Sequence, residues 1–128
     1  MMAFAAQFDP QPMHLDEVAA RATMMGGLCA SGWYACCIMM RMMADAFVLN
    51  SSSMGGPGVD EVKWLLPIRP DEEVHLHATV LDVRISKSRP DMGFVRLNFE
   101  LFNAAGQRVM TLTTSLMMGL RNPKSAAS

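Results

Sequence analysis

The strongest structural signal in this chain of 128 residues is the segment 31–49, SGWYACCIMMRMMADAFVL. Its only charged residues, Arg41 and Asp45, are four apart and fall on one face of a helix. Ser31 is a typical helix N-cap, and the polar run 50–53 ends the segment. A helix that is apolar nearly all round either crosses a membrane or is buried within a domain. Because the segment is short for a membrane span and carries the charged pair, we predict a central helix enclosed by other elements.

After residue 58 the hydrophobic pattern changes to a period of two, which is typical of strands with one buried face. Four strands are predicted, over residues 59–66, 74–85, 95–101 and 107–120. Within the second strand the apolar phase shifts at Val80-Leu81, which indicates a β-bulge. The run Asn103-Ala104-Ala105-Gly106 is typical of a hairpin turn, with glycine where the backbone needs a positive φ.

Two short helices are predicted ahead of the central helix, over residues 3–8 and 15–22, with a proline-stiffened loop between them. Helices followed by a run of strands indicate an α+β fold with an antiparallel sheet. A sheet curled around one apolar helix is the hotdog arrangement, and we predict a single domain of this kind over residues 1–121. The small polar segment 122–128 is predicted to be a flexible C-terminal tail.

The composition excludes some classes of partner. The 11 basic and 12 acidic residues give a formal net charge of −1, which argues against nucleic acid because non-specific binding needs a clustered basic surface. We find no secretory signal and predict no membrane partner. The three cysteines are odd in number and lie in an apolar run, which is typical of a reducing compartment. We therefore expect a cytoplasmic protein.

The candidate catalytic residues are Asp9 and His14, which lie five apart on the proline-stiffened loop. Imidazole titrates near neutrality, and a nearby carboxylate can orient it or act beside it as a second acid or base. Taken alone, the pair has an ordinary structural interpretation as well. Asp9 would then cap the turn, and His14 would be a surface or packed histidine.

The context of this pair resembles the MaoC-like dehydratases, which include the (R)-specific enoyl-CoA hydratases. In that family an Asp-x-x-x-Pro-x-His type motif is followed by a short segment that ends in a glycine at the start of the hotdog helix. The matching segments here are 8–16, FDPQPMHLD, and 26–32, GGLCASG. Further similar stretches are 66–71, 86–93 and 103–106, so the resemblance extends over about residues 3–121. Family members usually carry an additional N-terminal strand, which we expect to be missing from this chain.

The resemblance implies a hydro-lyase (hydratase or dehydratase, EC 4.2.1 type) that acts on enoyl-CoA or (R)-3-hydroxyacyl-CoA thioesters. Asp9 and His14 would be its acid/base pair, and the backbone N–H of Gly32 would bind the thioester oxygen at the N-terminus of the central helix. Ser31 and Gly27 would contact the substrate. Coenzyme A would be part of the substrate, so no separate cofactor is expected. We also expect a homodimer or a dimer of dimers, because one hotdog domain leaves a sheet edge and part of its helix uncovered.

Two other functions are compatible with the sequence. A hotdog thioesterase would use a carboxylate near the central helix to direct water to C1 of the thioester instead of C3. A non-catalytic acyl-CoA-binding or assembly subunit would need no acid/base pair. Asp9 and His14 favour the hydro-lyase over both.

Other candidate sites are weaker. His75 and His77 lie on one strand face and could bind a metal with Asp71, but a convincing third ligand is missing, and no metal site is predicted. A nucleophilic cysteine near the histidine of the motif is possible but has no support in the sequence. Lys87 and Arg89 form a small basic patch that either meets the phosphates of coenzyme A or is a solvated turn.

Overall fold

The computed structural model describes residues 1–121, so the predicted tail 122–128 lies outside the described residues. The order of elements is helices first and strands second, as predicted. The α-helices are α1 (Met2–Phe8), α2 (Glu17–Arg21) and α3 (Gly32–Ala46), the 3₁₀ turns are Pro12–His14 and Val48–Asn50, and the strands are β1 (Val59–Trp64), β2 (Val74–Ile85), β3 (Met92–Asn103) and β4 (Arg108–Gly119).

The four strands form one antiparallel sheet in the order β1-β4-β3-β2. The predicted bulge in β2 is confirmed, since the register with β3 shifts between Val80 and Asp82. The predicted hairpin turn between β3 and β4 is also confirmed. Gly106 has a φ of +79°, and its N–H donates to the carbonyl of Asn103. Only glycine takes this conformation at little cost.

Helix α3 packs one face on the sheet. Ala35, Met39 and Met43, at helical spacing, are buried against side chains of β3 and β4 such as Phe99 and Met110. The opposite face of the helix, which carries the exposed Trp33 and Met40, is left uncovered by residues 1–121, as expected of a single hotdog domain. The reason is that one sheet of four strands covers only one side of a helix.

Strand β2 is more exposed than its alternating pattern predicts. Only Val74 and Leu76 are half-buried, and every residue from His77 to Ile85 is exposed. Among residues 1–121 the strand lies at the edge of the sheet, with β3 as its one neighbouring strand. Apolar side chains therefore remain in solvent, namely Val80, Leu81, Val83 and Ile85. Within residues 1–121, no helix is both long enough and apolar enough to cross a membrane.

Two loops that flank α2 are joined to each other and to the sheet side of the molecule. The N–H of Cys29 donates to the carbonyl of Met13 at 3.2 Å, and the N–H of Ala30 donates to Ile68 at 2.8 Å. The side chain of Asp16 caps α2 by accepting from the N–H groups of its first turn. These bonds bring the loop before α2 against the start of α3.

Candidate active site

Asp9 and His14 converge at the junction of these loops. The Nε2 atom of His14 lies 3.4 Å from Oδ2 of Asp9. His14 is almost fully buried, at 5% exposure. Pro10 and Pro12 between them restrict the backbone, and the second begins the 3₁₀ turn that ends at His14. The sequence motif thus forms a real pair of ionisable groups in contact.

The second ring nitrogen of His14 sets the orientation of the imidazole. Nδ1 lies 2.9 Å from the carbonyl oxygen of Cys29. A carbonyl can only accept a hydrogen bond, so Nδ1 carries the proton and donates it. In the neutral ring this leaves Nε2 unprotonated, directed at Asp9 and able to accept a proton.

The carboxylate of Asp9 is held by two side-chain donors. The hydroxyl of Ser31 donates to Oδ2 at 2.6 Å, and the amide of Gln11 donates to Oδ1 at 2.7 Å. Both bonds lower the pKa of Asp9 below its usual range, and the bond from Ser31 has the largest effect. The nearby His14 lowers this pKa further. Asp9 is therefore ionised at neutral pH and acts as a hydrogen-bond acceptor.

Gly32 begins α3 beside this pair. The first amides of a helix have no acceptor within it, and the helix dipole favours negative charge at this end. The N–H of Gly32 has no hydrogen-bond partner among residues 1–121. An oxygen atom that develops negative charge would find an unpaired donor here.

All three groups line one cavity of about 690 Å³. Most of its wall is apolar and comes from the loops, the first turn of α3 and the end of β1. Part of the wall comes from buried residues, including Ala35, Val109 and Met110. Asp9, His14 and the backbone donor of Gly32 thus line one largely apolar cavity.

Comparison with known proteins gives the family. Residues 1–96 match the family model described as MaoC like domain. The chain belongs to the MaoC-like domain family. A solved MaoC-like dehydratase from Rhodospirillum rubrum is 40% identical, with a TM-score of 0.86 over 94% of this chain and 82% of that one. Membership of this family supports a hydratase or dehydratase, that is, a hydro-lyase, as the class of activity.

More distant relatives agree on the fold. The solved structure of an (R)-hydratase from A. caviae is 21% identical in sequence and has a TM-score of 0.65. The match covers 89% of this chain and 81% of that one. Among curated proteins, the uncharacterized protein YdeM of Bacillus subtilis (strain 168) is 25% identical over 92% of this chain and 82% of its own length. The predicted α+β hotdog fold is confirmed.

Two of the predicted site residues in this MaoC-like chain lie behind the cavity wall. Ser31 is fully buried and its hydroxyl is used by Asp9 and by the N–H of Trp33, so it has no surface to offer a substrate. Gly27 is buried under the side chains of Glu17 and Arg69 and does not line the cavity. In the structure both residues support the site instead of facing it.

Sequence analysis missed two residues that the fold brings to the site. The guanidinium of Arg69 donates to the carbonyls of Met25, Gly27 and Leu28, and so holds the loop that supplies the acceptor for His14. Trp64, at the end of β1, lies against the start of α3 and lines the cavity. An arginine within the apolar run LLPIRP was the one available sequence signal, and Trp64 had none.

The weaker candidates gain no support from the structure. Among residues 1–121 no group of three or more His, Cys, Asp and Glu side chains could hold a metal ion. The Sγ atom of Cys29 lies 3.7 Å from Nδ1 of His14, but burial raises the pKa of this thiol, the opposite of what a nucleophilic cysteine needs. Arg89 of the basic patch is paired with Asp91.

Proposed function

We propose that the protein is a hydratase that adds water to the double bond of enoyl-CoA thioesters and, in reverse, dehydrates (R)-3-hydroxyacyl-CoA. The observation that supports this most strongly is the convergence of Asp9, His14 and the Gly32 amide on one apolar cavity. The chemistry requires an activated water at C3, a proton for C2 and a donor for the thioester oxygen. One group or pair is present for each task.

The Asp9–His14 pair handles the water and the protons. The attacking water donates hydrogen bonds to the ionised carboxylate of Asp9 and to Nε2 of His14. As the C3–O bond forms, one proton passes from the water to the pair, and the pair delivers one proton to C2. Ser31 is a positioning residue here, because its hydrogen bond fixes the carboxylate in place.

The Gly32 amide supports the other end of the reacting system. Attack at C3 moves the electron pair of the double bond toward the thioester carbonyl, so negative charge develops on that oxygen. An unpaired N–H at a helix N-terminus stabilises this charge more than it stabilises the neutral carbonyl. The donor therefore lowers the barrier instead of only binding substrate.

The lining of the cavity supports an apolar acyl group. Its charged residues are Asp9, His14 and Arg69, and the guanidinium of Arg69 is already bonded to three backbone carbonyls. Among residues 1–121, no further cationic side chain lines the cavity to bind a second carboxylate on the substrate. Coenzyme A enters this proposal only as part of the substrate, and the cytoplasm, as a reducing compartment, suits the three free cysteines.

The test is to incubate the protein with crotonyl-CoA and with longer 2-enoyl-CoAs. Loss of the conjugated double bond and release of free thiol are followed separately. Double-bond loss without thiol release supports the hydratase. Thiol release would instead support the hotdog thioesterase, and tight binding with neither reaction would support a non-catalytic acyl-CoA-binding subunit.

We also propose that two copies of the chain associate. Within the part of the chain that the structure describes, β1 and β2 each have one unpaired edge, and β2 leaves apolar side chains in solvent. Light scattering should give at least twice the 14.1 kDa mass of one chain. A particle of 14.1 kDa at micromolar concentration would contradict the proposal.

A further inference from the structure

The indole of Trp64 lies directly on the backbone of Gly32. A Cβ atom at position 32 would come within 2.5 Å of the Cε2 atom of Trp64 and within 2.8 Å of its Nε1 atom. Atoms of a real side chain do not approach so closely, so a substituted residue would displace the ring. Position 32 therefore has to be glycine for the indole of Trp64 to lie where it does.

A hydrogen bond joins the same two residues. The Nε1–H group of Trp64 donates to the carbonyl oxygen of Gly32 at 3.0 Å. The N–H of Trp33, which belongs to the same peptide unit as that carbonyl, donates to the hydroxyl of Ser31. The peptide unit between Gly32 and Trp33 is thus held at both its carbonyl and its N–H.

This support matters because Gly32 is the least constrained part of the helix. Glycine has the widest choice of backbone angles, and the first turn of a helix is its most easily frayed part. An N–H that must point at one oxygen atom therefore needs an external support. Trp64 provides a rigid one, since it ends β1, is paired with Met110 of β4 and is followed by the Leu65 N–H bond to Val109 at 2.8 Å.

A second aromatic ring supports the indole. The ring of Trp33 meets that of Trp64 edge to face, with centroids 5.3 Å apart. Aromatic pairs in this geometry are mutually stabilising. Trp33 follows Gly32 in the chain, so the contact fastens the start of α3 to β1 a second time.

We propose that Trp64 is a positioning residue that fixes the direction of the Gly32 amide toward the thioester oxygen. The inference rests on the proposed hydratase function and deepens it. Trp64 acts through Gly32, so it affects the stabilisation of developing charge more than the binding of substrate. Catalytic rate then depends on the indole N–H, a group that phenylalanine lacks.

The first experiment replaces Trp64 by phenylalanine, which keeps an aromatic ring and removes the donor. With crotonyl-CoA we expect kcat to fall about tenfold and KM to change less than about twofold, a part of the loss that follows full removal of such a donor. Lys63→Gln is the matched control, because Lys63 is the preceding residue of β1, points to the opposite side of the sheet and is exposed. Its kcat should equal that of the wild type.

A spectroscopic measurement separates positioning from loss of structure. Butyryl-CoA, which has no double bond to hydrate, is bound to each variant, and the infrared stretch of its thioester carbonyl is recorded. Hydrogen bonding lowers this frequency. Trp64→Phe should bind butyryl-CoA with less lowering than the wild type or Lys63→Gln, and all three should show the same circular dichroism.

A double-mutant cycle tests the contact itself. In the wild-type background, Gly32→Ala should lower kcat at least about tenfold, because the new methyl group collides with the indole and shifts the amide. In a Trp64→Ala background, Gly32→Ala should lower kcat by no more than about threefold. Equal costs in both backgrounds would show that the two residues are independent and would overturn the proposal.

The outcomes for the function and for the inference are distinct. If the wild type hydrates crotonyl-CoA and Trp64→Phe retains its kcat and its carbonyl frequency, the hydratase stands and the role of Trp64 is wrong. If the folded wild type hydrates no enoyl-CoA of any length, the proposed function fails, and this role of Trp64 fails with it.

Discussion

Asp9→Asn should lower the rate of crotonyl-CoA hydration by about 10²-fold or more, the scale of one lost general acid or base. The amide cannot accept a proton from water, and it presents an N–H₂ group to His14 or to Ser31. His14→Ala should have an effect of the same size, because it removes Nε2 from its position 3.4 Å from Asp9. The measurement is kcat/KM from the loss of the conjugated double bond.

Matched controls exist for both changes. Asp45→Asn alters an exposed carboxylate that is paired with Arg41, and His77→Ala alters an exposed histidine on β2. Both should retain wild-type rates. Full activity in either Asp9→Asn or His14→Ala would refute the acid/base mechanism while leaving the fold untouched.

Stability against pH gives a further control on Asp9. Its pKa is lowered in the folded chain, so its carboxylate favours folding at every pH above its ordinary value of 3.8. That contribution is lost as the pH falls through the lower folded value. The difference in unfolding free energy between the wild type and Asp9→Asn should therefore shrink in acid below about pH 4.

Phe99→Ala should be the most destabilising single change in the core, at about 3–5 kcal/mol of unfolding free energy. Phe99 is fully buried in the middle of β3, packs in the cluster with Met39, and stacks on Phe47 with ring centroids 6.2 Å apart. Truncation leaves a cavity that neither α3 nor the sheet can fill without moving. Because whole domains are stable by only about 5–15 kcal/mol, a large part of the total would be lost.

Urea unfolding at one fixed protein concentration measures this effect, since association would otherwise contribute. Val18→Ala is the control. Val18 is 75% exposed on α2, and its truncation should change stability by less than about 0.5 kcal/mol. A cost below about 1 kcal/mol for Phe99→Ala would mean that the packing of α3 on the sheet is not the main core.

Local patterns were enough to predict the elements of this fold. The change to a period of two marks the strands, because neighbouring side chains of a strand point to opposite faces. The bulge at Leu81 was visible as a phase shift, and the turn at Gly106 as a glycine where positive φ is needed. The Asp9–His14 motif was also found, since its two residues are close in the chain and prolines restrict the backbone between them.

Burial was harder to predict, because it depends on how many layers surround an element. The apolar pattern of α3 indicates a hydrophobic environment on all sides, yet one sheet of four strands covers only its Ala35, Met39 and Met43 face. In the same way, the alternation in β2 does not show that the strand lies at an edge. Composition and period show whether a side chain is stabilised by burial, whereas the arrangement of the sheet determines whether it is buried.

Only the tertiary structure shows which residues hold the site in place. The bond from Ser31 to Asp9 spans 22 residues, that from Trp64 to Gly32 spans 32, and that from Arg69 to Gly27 spans 42. No local period or motif relates residues so far apart, because their contact depends on where β1 and the following loop pass α3. The sequence by itself thus identifies the two ionisable groups proposed to move protons, and the packing of strand against helix determines which other residues hold them in place.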